Sequence, residues 1–422
     1  MTANTSTAPP SAALERASRL LRWILGLLIL GYGLLTFDRD SIAWAALSLL
    51  LYALPLALQL TAWGTARIYG LWFGLFLVCQ SLLGPLVKGD FVSLPANLHS
   101  TIDVRIQDAP GIRPGLRHIS TDARGFRVMP AIDYANKRGA RIVAIGGSTT
   151  EDIMLGDDST WTHRLQQGLK ARKHEVEVIN TGVSGLRAAN HLATLQVTAS
   201  LKPDLVLVLV AGNDWNKQIR DRFEPNRDPY RPPELRRSPL GGLIARFLVM
   251  PLRARLTGQS SWDQHLVVDK PDGFNSDKPR RSLERATKHE FRPATVADGY
   301  RQDMQAISKA CKDMQLRCLF ITQPHAYSEA ASEELRRLFW MTPPYASYTL
   351  DLGSMMHVAA LYNRFLAELA QRDGHALCDV ATGMEPSIRL FYDDMHYTDD
   401  GAARVAELVL PCVERQLAKL GR

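Results

Sequence analysis

Residues 141–150 read Arg-Ile-Val-Ala-Ile-Gly-Gly-Ser-Thr-Thr, a short apolar run followed at once by two glycines and a cluster of hydroxyl side chains. An apolar run of this length, bounded by turn residues, predicts a strand that is buried on both faces. Similar runs recur at residues 175–180, 205–211, 318–322 and 376–380. The chain after residue 140 is therefore expected to build a sheet.

Helical segments lie between these runs, at residues 159–170, 296–312 and 357–371. Strands that alternate with helices in this way form a parallel sheet with helices on both faces. We predict an α/β fold, a three-layer α/β/α sandwich of the flavodoxin-like kind with about five parallel strands.

Residues 215–294 do not follow this alternation and contain many Arg, Lys and Pro residues. A connection of this length inside a compact domain indicates an insertion. Its apolar part, residues 243–256, is interpreted as a lid or a helix packed on the domain. A helix on the membrane surface is the alternative, which Pro251 disfavours because it interrupts the helical period.

Three apolar runs precede the domain, at residues 20–37, 42–60 and 68–87. Each is close to the roughly 20 residues that cross a bilayer as a helix. Tryptophans lie near their ends, where aromatic side chains meet the lipid headgroups: Trp23, Trp44, Trp63 and Trp72. A cleaved signal peptide is disfavoured, because the apolar sequence resumes directly after the small-residue box at residues 43–45. The runs predict three transmembrane helices.

The chain is thereby divided into four parts. Residues 1–19 form a flexible cytoplasmic tail, 20–88 the transmembrane anchor, 89–139 a linker at the domain edge, and 140–422 the catalytic domain with its insertion. Arginines cluster at the start of the first run and are expected to stay in the cytoplasm. Three crossings then predict a multi-pass protein of the inner (plasma) membrane whose catalytic domain faces the periplasm or the cell exterior.

The composition and charge indicate which kinds of partner the chain is expected to bind. The chain has 422 residues, 46% of them hydrophobic and 22% charged, with a formal net charge of +7, so a wholly disordered chain is excluded. It carries no helix-turn-helix, zinc-finger or RNP-like pattern, which argues against a nucleic-acid partner. Lipid headgroups are the expected partner for the positive charge.

The five cysteines form no Cys-x-x-Cys pair, which argues against a structural zinc site. We expect no metal and no cofactor. The four cysteines outside the apolar runs allow three disulfide pairings in an oxidising compartment, and buried free thiols are the open alternative. They are Cys311, Cys318, Cys378 and Cys412.

Four short signatures follow predicted strands or precede a predicted helix. They are Gly146-Gly147-Ser148-Thr149-Thr150, Asn180-Thr181-Gly182-Val183-Ser184-Gly185, Gly212-Asn213-Asp214 and Asp393-Asp394-Met395-His396. Open α/β sheets build their sites at the carboxyl ends of the strands. Each signature alone would be an ordinary turn, but all of them are expected at one edge.

The order of these signatures resembles the SGNH hydrolases, GDSL-like serine hydrolases named for a Ser, a Gly, an Asn and a His. The resemblance extends over residues 140–410, apart from the insertion. There is one departure, since the family's usual Gly-Asp-Ser is Gly146-Gly147-Ser148 here. The missing aspartate weakens the first signature but leaves the serine in place.

The resemblance implies a role for each matching residue. Ser148 matches the nucleophile, and Asp393 and His396 match the acid and base of the last signature. The oxyanion hole is expected from the main-chain N–H groups of Ser148 and Gly185 and the side-chain amide of Asn213. A serine hydroxyl needs a base to take its proton, and an imidazole titrates near neutrality.

Some alternatives remain at this edge. Asp394 would replace Asp393, or Gly182 would replace Gly185, but the family spacing disfavours both. His325 follows the fourth predicted strand and either contacts the substrate or has a structural role. Residues 121–127 are interpreted as a turn at the domain edge without chemistry.

The resemblance implies a membrane-anchored serine esterase that hydrolyses an ester, such as an O-acetyl ester, of a cell-envelope glycan or lipid. A second hypothesis is an O-acyltransferase that passes the acyl group from the same serine to a sugar hydroxyl. A third is a non-catalytic envelope-binding protein. Only three apolar runs precede the domain, too few for a many-span acyl-donor translocator, which favours hydrolysis. The complete set of Ser148, Asp393 and His396 disfavours a non-catalytic protein.

Overall fold

The computed structural model describes residues 91–105, 111–152, 154–225, 264–268, 288–340 and 348–420, with only the backbone described at 264–268. The three apolar runs and the apolar part of the insertion lie outside these ranges. Among the helices that are described, none combines the length and the apolar character needed to cross a membrane.

The described elements follow one another in the order in which the strands and helices are predicted. In chain order they are β1 (His99–Val104), β2 (Gly115–Ser120), β3 (Ala140–Gly146), α1 (Ser148–Glu151), α2 (Trp161–Ala171), β4 (Val176–Asn180), α3 (Ala188–Thr198), β5 (Leu205–Leu209), α4 (Gly212–Phe223), β6 (Gln264–Val268), β7 (Lys288–His289), α5 (Asp298–Asp313), β8 (Cys318–Ile321), α6 (Glu333–Arg336), β9 (Thr349–Leu350), α7 (Leu352–Asp373), β10 (Ala376–Cys378) and α8 (Asp399–Ala418).

The central sheet has five parallel strands in the order β4-β3-β5-β8-β10. Each strand falls on a predicted apolar run, so the predicted sheet is confirmed. Every residue of β3, β4 and β5 is buried, as a strand covered on both faces requires. The strand order reverses between β3 and β5, and such a reversal opens a crevice at the carboxyl ends of the two strands.

Helices cover the sheet in two groups. Helix α2 packs against α8, whereas α3 packs against α5 and α7 packs against both α4 and α5. The first residues of the predicted insertion belong to α4, and Trp215 on this helix is fully buried in the main core. Burial of a side chain of this size contributes about 1.5–3 kcal/mol, so the start of this segment is part of the domain.

A second, three-stranded sheet lies in the segment predicted as a linker, in the order β2-β1-β6. Strands β1 and β2 are antiparallel, and β6, from within the predicted insertion, pairs parallel with β1. A small core of its own includes Ile102, Val104, Ile119, Met154 and Tyr392. The last two of these residues come from loops near Ser148 and His396.

Two disulfides join the four cysteines outside the apolar runs. Cys311 near the end of α5 is bonded to Cys318 at the start of β8, and Cys378 at the end of β10 is bonded to Cys412 in α8. Sequence reasoning left the pairing open among three possibilities and free thiols. Both bonds fasten a helix to a strand of the central sheet.

Candidate active site

Ser148 is the first residue of α1, directly after β3 and Gly147. The indole N–H of Trp161 donates to the Thr149 carbonyl at 3.0 Å. The side-chain amide of Asn180, at the end of β4, donates to the Thr150 carbonyl at 2.6 Å. These bonds hold the short helix at the carboxyl ends of β3 and β4.

The last signature places its imidazole against this serine. His396 Nε2 lies 2.7 Å from Ser148 Oγ, and His396 Nδ1 lies 2.7 Å from Asp393 Oδ2. The other carboxylate oxygen of Asp393 accepts the main-chain N–H groups of Met395 at 2.9 Å and His396 at 2.7 Å. Thr398 caps α8 by accepting from Gly401 N–H, so the chain turns into the helix just after the imidazole.

Asp394, the alternative acid, takes part in a different contact. Its carboxylate accepts the hydroxyl of Tyr327 at 2.7 Å, and it is buried. Asp393 is thus the carboxylate that contacts the imidazole. His325 packs with its ring against Trp215 and Tyr327 and is absent from the recess around Ser148. This packing favours the structural role for His325.

The second and third signatures lie beside Ser148. Gly185 has a φ of +80°, a left-handed conformation that favours glycine. Asn213 lines the recess at Ser148, and its side-chain N–H donates to the Leu186 carbonyl at 2.8 Å. A Cβ on Gly182 would lie 2.3 Å from the Glu151 main-chain nitrogen, so this glycine permits the close approach of α1. Neither Gly182 nor Gly185 lines the recess at Ser148, whereas the next residue, Leu186, does.

The residue before the serine has a packing reason to be glycine. A Cβ on Gly147 would lie 2.9 Å from Nδ2 of Asn213, closer than such atoms approach without displacement. The amide of Asn213 therefore occupies the space that a side chain at residue 147 would need.

The sequence matches the GDSL-like Lipase/Acylhydrolase family over residues 144–404, well over half of the chain. The chain belongs to this family. Family membership makes it a carboxylic ester hydrolase. Residues 144–404 include all four signatures and the described parts of the insertion.

The chain is also similar in fold to several solved structures. One is LAE5, an alpha/beta hydrolase enzyme from the metagenome of Lake Arreo, Spain, with 15% identity and a TM-score of 0.38, covering 67% of this chain and 98% of that one. Another is TesA, with 14% identity and a TM-score of 0.37, covering 65% and 99%. A third is the acetyl xylan esterase AlAXEase, with 13% identity and a TM-score of 0.35, covering 65% and 99%. No curated protein sequence matches the chain.

The charges in this GDSL-like acylhydrolase favour an ionised Asp393 beside a basic imidazole. Burial by itself would raise the pKa of the Asp393 carboxyl, but the His396 charge and hydrogen bonds hold that pKa below its usual value. Burial would lower the pKa of His396, but the charge of Asp393 and its hydrogen bond raise that pKa above its usual value. Each group stabilises the charged form of the other.

Two further carboxyls lie behind Ser148 in the acylhydrolase and are buried. Burial raises the pKa of Glu151, and burial raises the pKa of Asp152 to about 8. Glu151 accepts the main-chain N–H of Ser184 at 2.5 Å, which ties α1 to the loop that carries Gly185. Asp152 accepts the main-chain N–H of Trp161 at 2.8 Å. In the described ranges, no cluster of His, Cys, Asp or Glu has the arrangement of a metal site.

Sequence reasoning missed two residues that support the site. The ring of Tyr392 stacks on the His396 imidazole, with centroids 5.6 Å apart and planes 13° apart. Arg127 is buried and contacts the loop after α1, although residues 121–127 are predicted to carry no chemistry. The adjacency of Tyr392 to Asp393 was a readable signal, whereas nothing in the sequence links Arg127 to residues that lie 24 to 30 positions later.

Proposed function

We propose that this acylhydrolase is a serine esterase in which Ser148 is the nucleophile, His396 the general base and Asp393 the residue that orients the imidazole. The observation that carries the proposal is the unbroken path from Ser148 Oγ through the imidazole to Asp393, with both contacts at 2.7 Å. A base at this distance can take the serine proton as the hydroxyl attacks.

The first half of the reaction transfers the acyl group to the enzyme. Ser148 Oγ attacks the ester carbonyl while its proton moves to His396 Nε2, and Asp393 stabilises the imidazolium that forms. The oxyanion is bound by the main-chain N–H groups of Ser148 and Gly185 and by the side-chain amide of Asn213. The C–O bond then breaks, and the alcohol leaves with the proton from His396.

The second half reverses these roles with water as the nucleophile. His396 takes a proton from water, which attacks the acyl-enzyme carbonyl. The acid leaves, and Ser148 regains its proton from the imidazolium. The substrate that we propose is an ester, such as an O-acetyl ester, of a cell-envelope glycan or lipid.

We further propose that residues 20–88 anchor the enzyme in the inner membrane and that the esterase domain is periplasmic. The apolar runs and the arginines Arg16, Arg19 and Arg22 before and within the first run support this topology. The two disulfides also support it, because such bonds persist in oxidising compartments. A reporter fused after Arg422 that is active only in the cytoplasm would overturn the topology.

The function is tested with the purified full-length protein in detergent and a small chromogenic acetyl ester. Wild type is expected to release the chromophore, and Ser148→Ala is expected to release it no faster than buffer while unfolding at the same temperature. Full activity in Ser148→Ala would refute the nucleophile. A faster release in the presence of a glycan, with acetyl appearing on the glycan, would identify a transferase instead.

A further inference from the structure

A second, shallow recess shares Asn213 with the recess at Ser148. Its wall contains the oxyanion-hole candidates Gly185 and Asn213. The other residues that line it are Arg187, Asn216, Lys217, Arg220 and Asp221. Because Asn213 lines both recesses, the two recesses are neighbours.

Three of the lining side chains are cationic and one is anionic. Lys217 and Arg220 are three residues apart on α4 and so lie on one face of that helix. Arg187 comes from the other wall, two residues after Gly185 and just before α3. Two separate elements therefore bring positive charge to one hollow, and the formal charge of its lining is positive.

Among the residues that the structure describes, neither Arg187 nor Lys217 is held in a strong ion pair. Within the described part of the chain, no ion pair involves the Arg187 guanidinium, although it faces a buried carboxyl, Asp214, whose pKa burial raises to about 7. Lys217 contacts Asp221 at 2.7 Å, with 39% and 53% of the two side chains exposed. An exposed pair of this kind is weak, so Lys217 is available to a stronger anion.

We propose that this recess binds an anionic group, a carboxylate or a phosphate, that the substrate carries close to its ester. The inference rests on the proposed function, because it places the ester at Ser148. A guanidinium binds a planar carboxylate or a phosphate through paired hydrogen bonds, and an ammonium adds a point charge. The shared Asn213 would then contact the reacting carbonyl while Arg187 and Lys217 hold the neighbouring anion.

The proposal is tested with three acetyl esters that differ in one substituent. They are a neutral acetylated methyl glycoside, the corresponding acetylated uronic acid and the corresponding acetylated sugar phosphate. The variants are Arg187→Gln and Lys217→Gln. The control is Lys309→Gln, because Lys309 forms the same kind of exposed pair, with Asp313 four residues later, on helix α5.

We expect wild type to favour at least one anionic ester over the neutral one by about 10-fold in kcat/KM, since a charge-assisted hydrogen bond is typically of that size. This preference should come mainly from a lower KM for the anionic ester, and it should decrease as salt is added. Each of Arg187→Gln and Lys217→Gln is expected to reduce it, and Lys309→Gln to leave it unchanged. Comparison of the carboxylate and the phosphate identifies which anion is bound.

Equal kcat/KM for neutral and anionic esters in wild type would overturn the subsite, as would equal losses for all three esters in Arg187→Gln. If wild type hydrolyses none of them, the proposed function fails and the subsite is judged by binding alone. Calorimetry with the free uronic acid and sugar phosphate is then performed on Ser148→Ala, with and without Arg187→Gln. Binding that Arg187→Gln weakens supports the subsite, and no binding by either protein refutes it.

Discussion

The two loops that meet at the candidate site are held in opposite ways. The Ser148 loop, residues 147–152 and 154–157, is fixed by side chains from distant parts of the chain, whereas the acid and base of the His396 loop, residues 391–397, are held together by hydrogen bonds within that loop. In the first, Arg127 donates to the carbonyls of Glu151, Asp152 and Leu155 and to the carboxylate of Asp157. In the second, Asp393 accepts two N–H groups from the next three residues.

This difference has a physical consequence for each loop. The His396 loop is a short motif whose geometry follows from local hydrogen bonds, so its acid and base keep their relation wherever the loop is placed. The Ser148 loop depends on a buried cation, and removal of one partner of a buried charge leaves the other unpaired. Damage to the His396 loop is therefore expected to lower activity, whereas damage to the Ser148 loop is expected to lower stability.

The largest effect is expected from Asp393→Asn. The amide keeps the shape of the carboxylate but no longer holds the productive tautomer or stabilises the imidazolium, so kcat should fall by about 10⁴-fold. The adjacent variant Asp394→Asn is the control, because its oxygen can still accept the Tyr327 hydroxyl and its charge raises the pKa of His396 less than that of Asp393 does. Steady-state kinetics on an acetyl ester separates the two. Similar losses in both variants would contradict the assignment of Asp393.

A smaller loss is expected from Gly147→Ala. The new Cβ would displace the amide of Asn213, and removal of one oxyanion donor typically costs about 10²–10³ in kcat. The melting temperature should change little, since the displaced atom is the end of a side chain. In an Asn213→Ala background the same substitution should cost much less, because both act through one amide. Additive losses in the double variant would show that Gly147 acts in another way.

Arg127→Gln tests the Ser148 loop through stability. The carboxylate of Asp157 and three carbonyls would lose a buried cationic donor, and we expect the free energy of unfolding to fall by about 3 kcal/mol in urea titrations. Arg113→Gln is the control, because Arg113 forms an exposed pair with Asp400 and should cost less than about 1 kcal/mol. Equal costs would mean that burial of Arg127 does not stabilise the loop.

The smallest effect is expected in the pH dependence of kcat/KM. The base must be neutral to accept a proton, and Asp393 raises the pKa of His396 above its usual 6.5. The acidic limb of kcat/KM should therefore lie above pH 6.5 in wild type, with activity lost as pH falls through that pKa. In Asp393→Asn the residual activity should have its limb at lower pH, since the anion is gone. An unchanged limb would show that another group sets it.

The central sheet was predictable because its strands are buried on both faces. Strands such as β3 and β5 then appear as unbroken apolar runs, and their loops carry the glycine and hydroxyl residues of the signatures. The contacts of Ser148 with His396, and of His396 with Asp393, were expected from the family resemblance that the order of those signatures supports. Their catalytic roles stay predictions until activity is measured.

The features that sequence reasoning missed depend on contacts between residues far apart in sequence. The small sheet β2-β1-β6 was missed because β1 mixes apolar and polar residues and β6 lies inside a segment interpreted as an insertion. Arg127 looked like one arginine of an edge turn, since its burial depends on a loop folded against it. The closeness of Gly147 to Asn213 was likewise not predictable, because the two residues are far apart in sequence.

The disulfide between Cys378 and Cys412 closes a ring of chain with a sequence separation of 34, and Asp393 and His396 both lie inside that ring. Closing a loop of this size lowers the entropy of the unfolded chain by an amount equivalent to about 4 kcal/mol of stability. Whole domains are typically stable by about 5–15 kcal/mol. In a reducing solution the ring opens, and the domain that carries the acid and the base loses stability of that size.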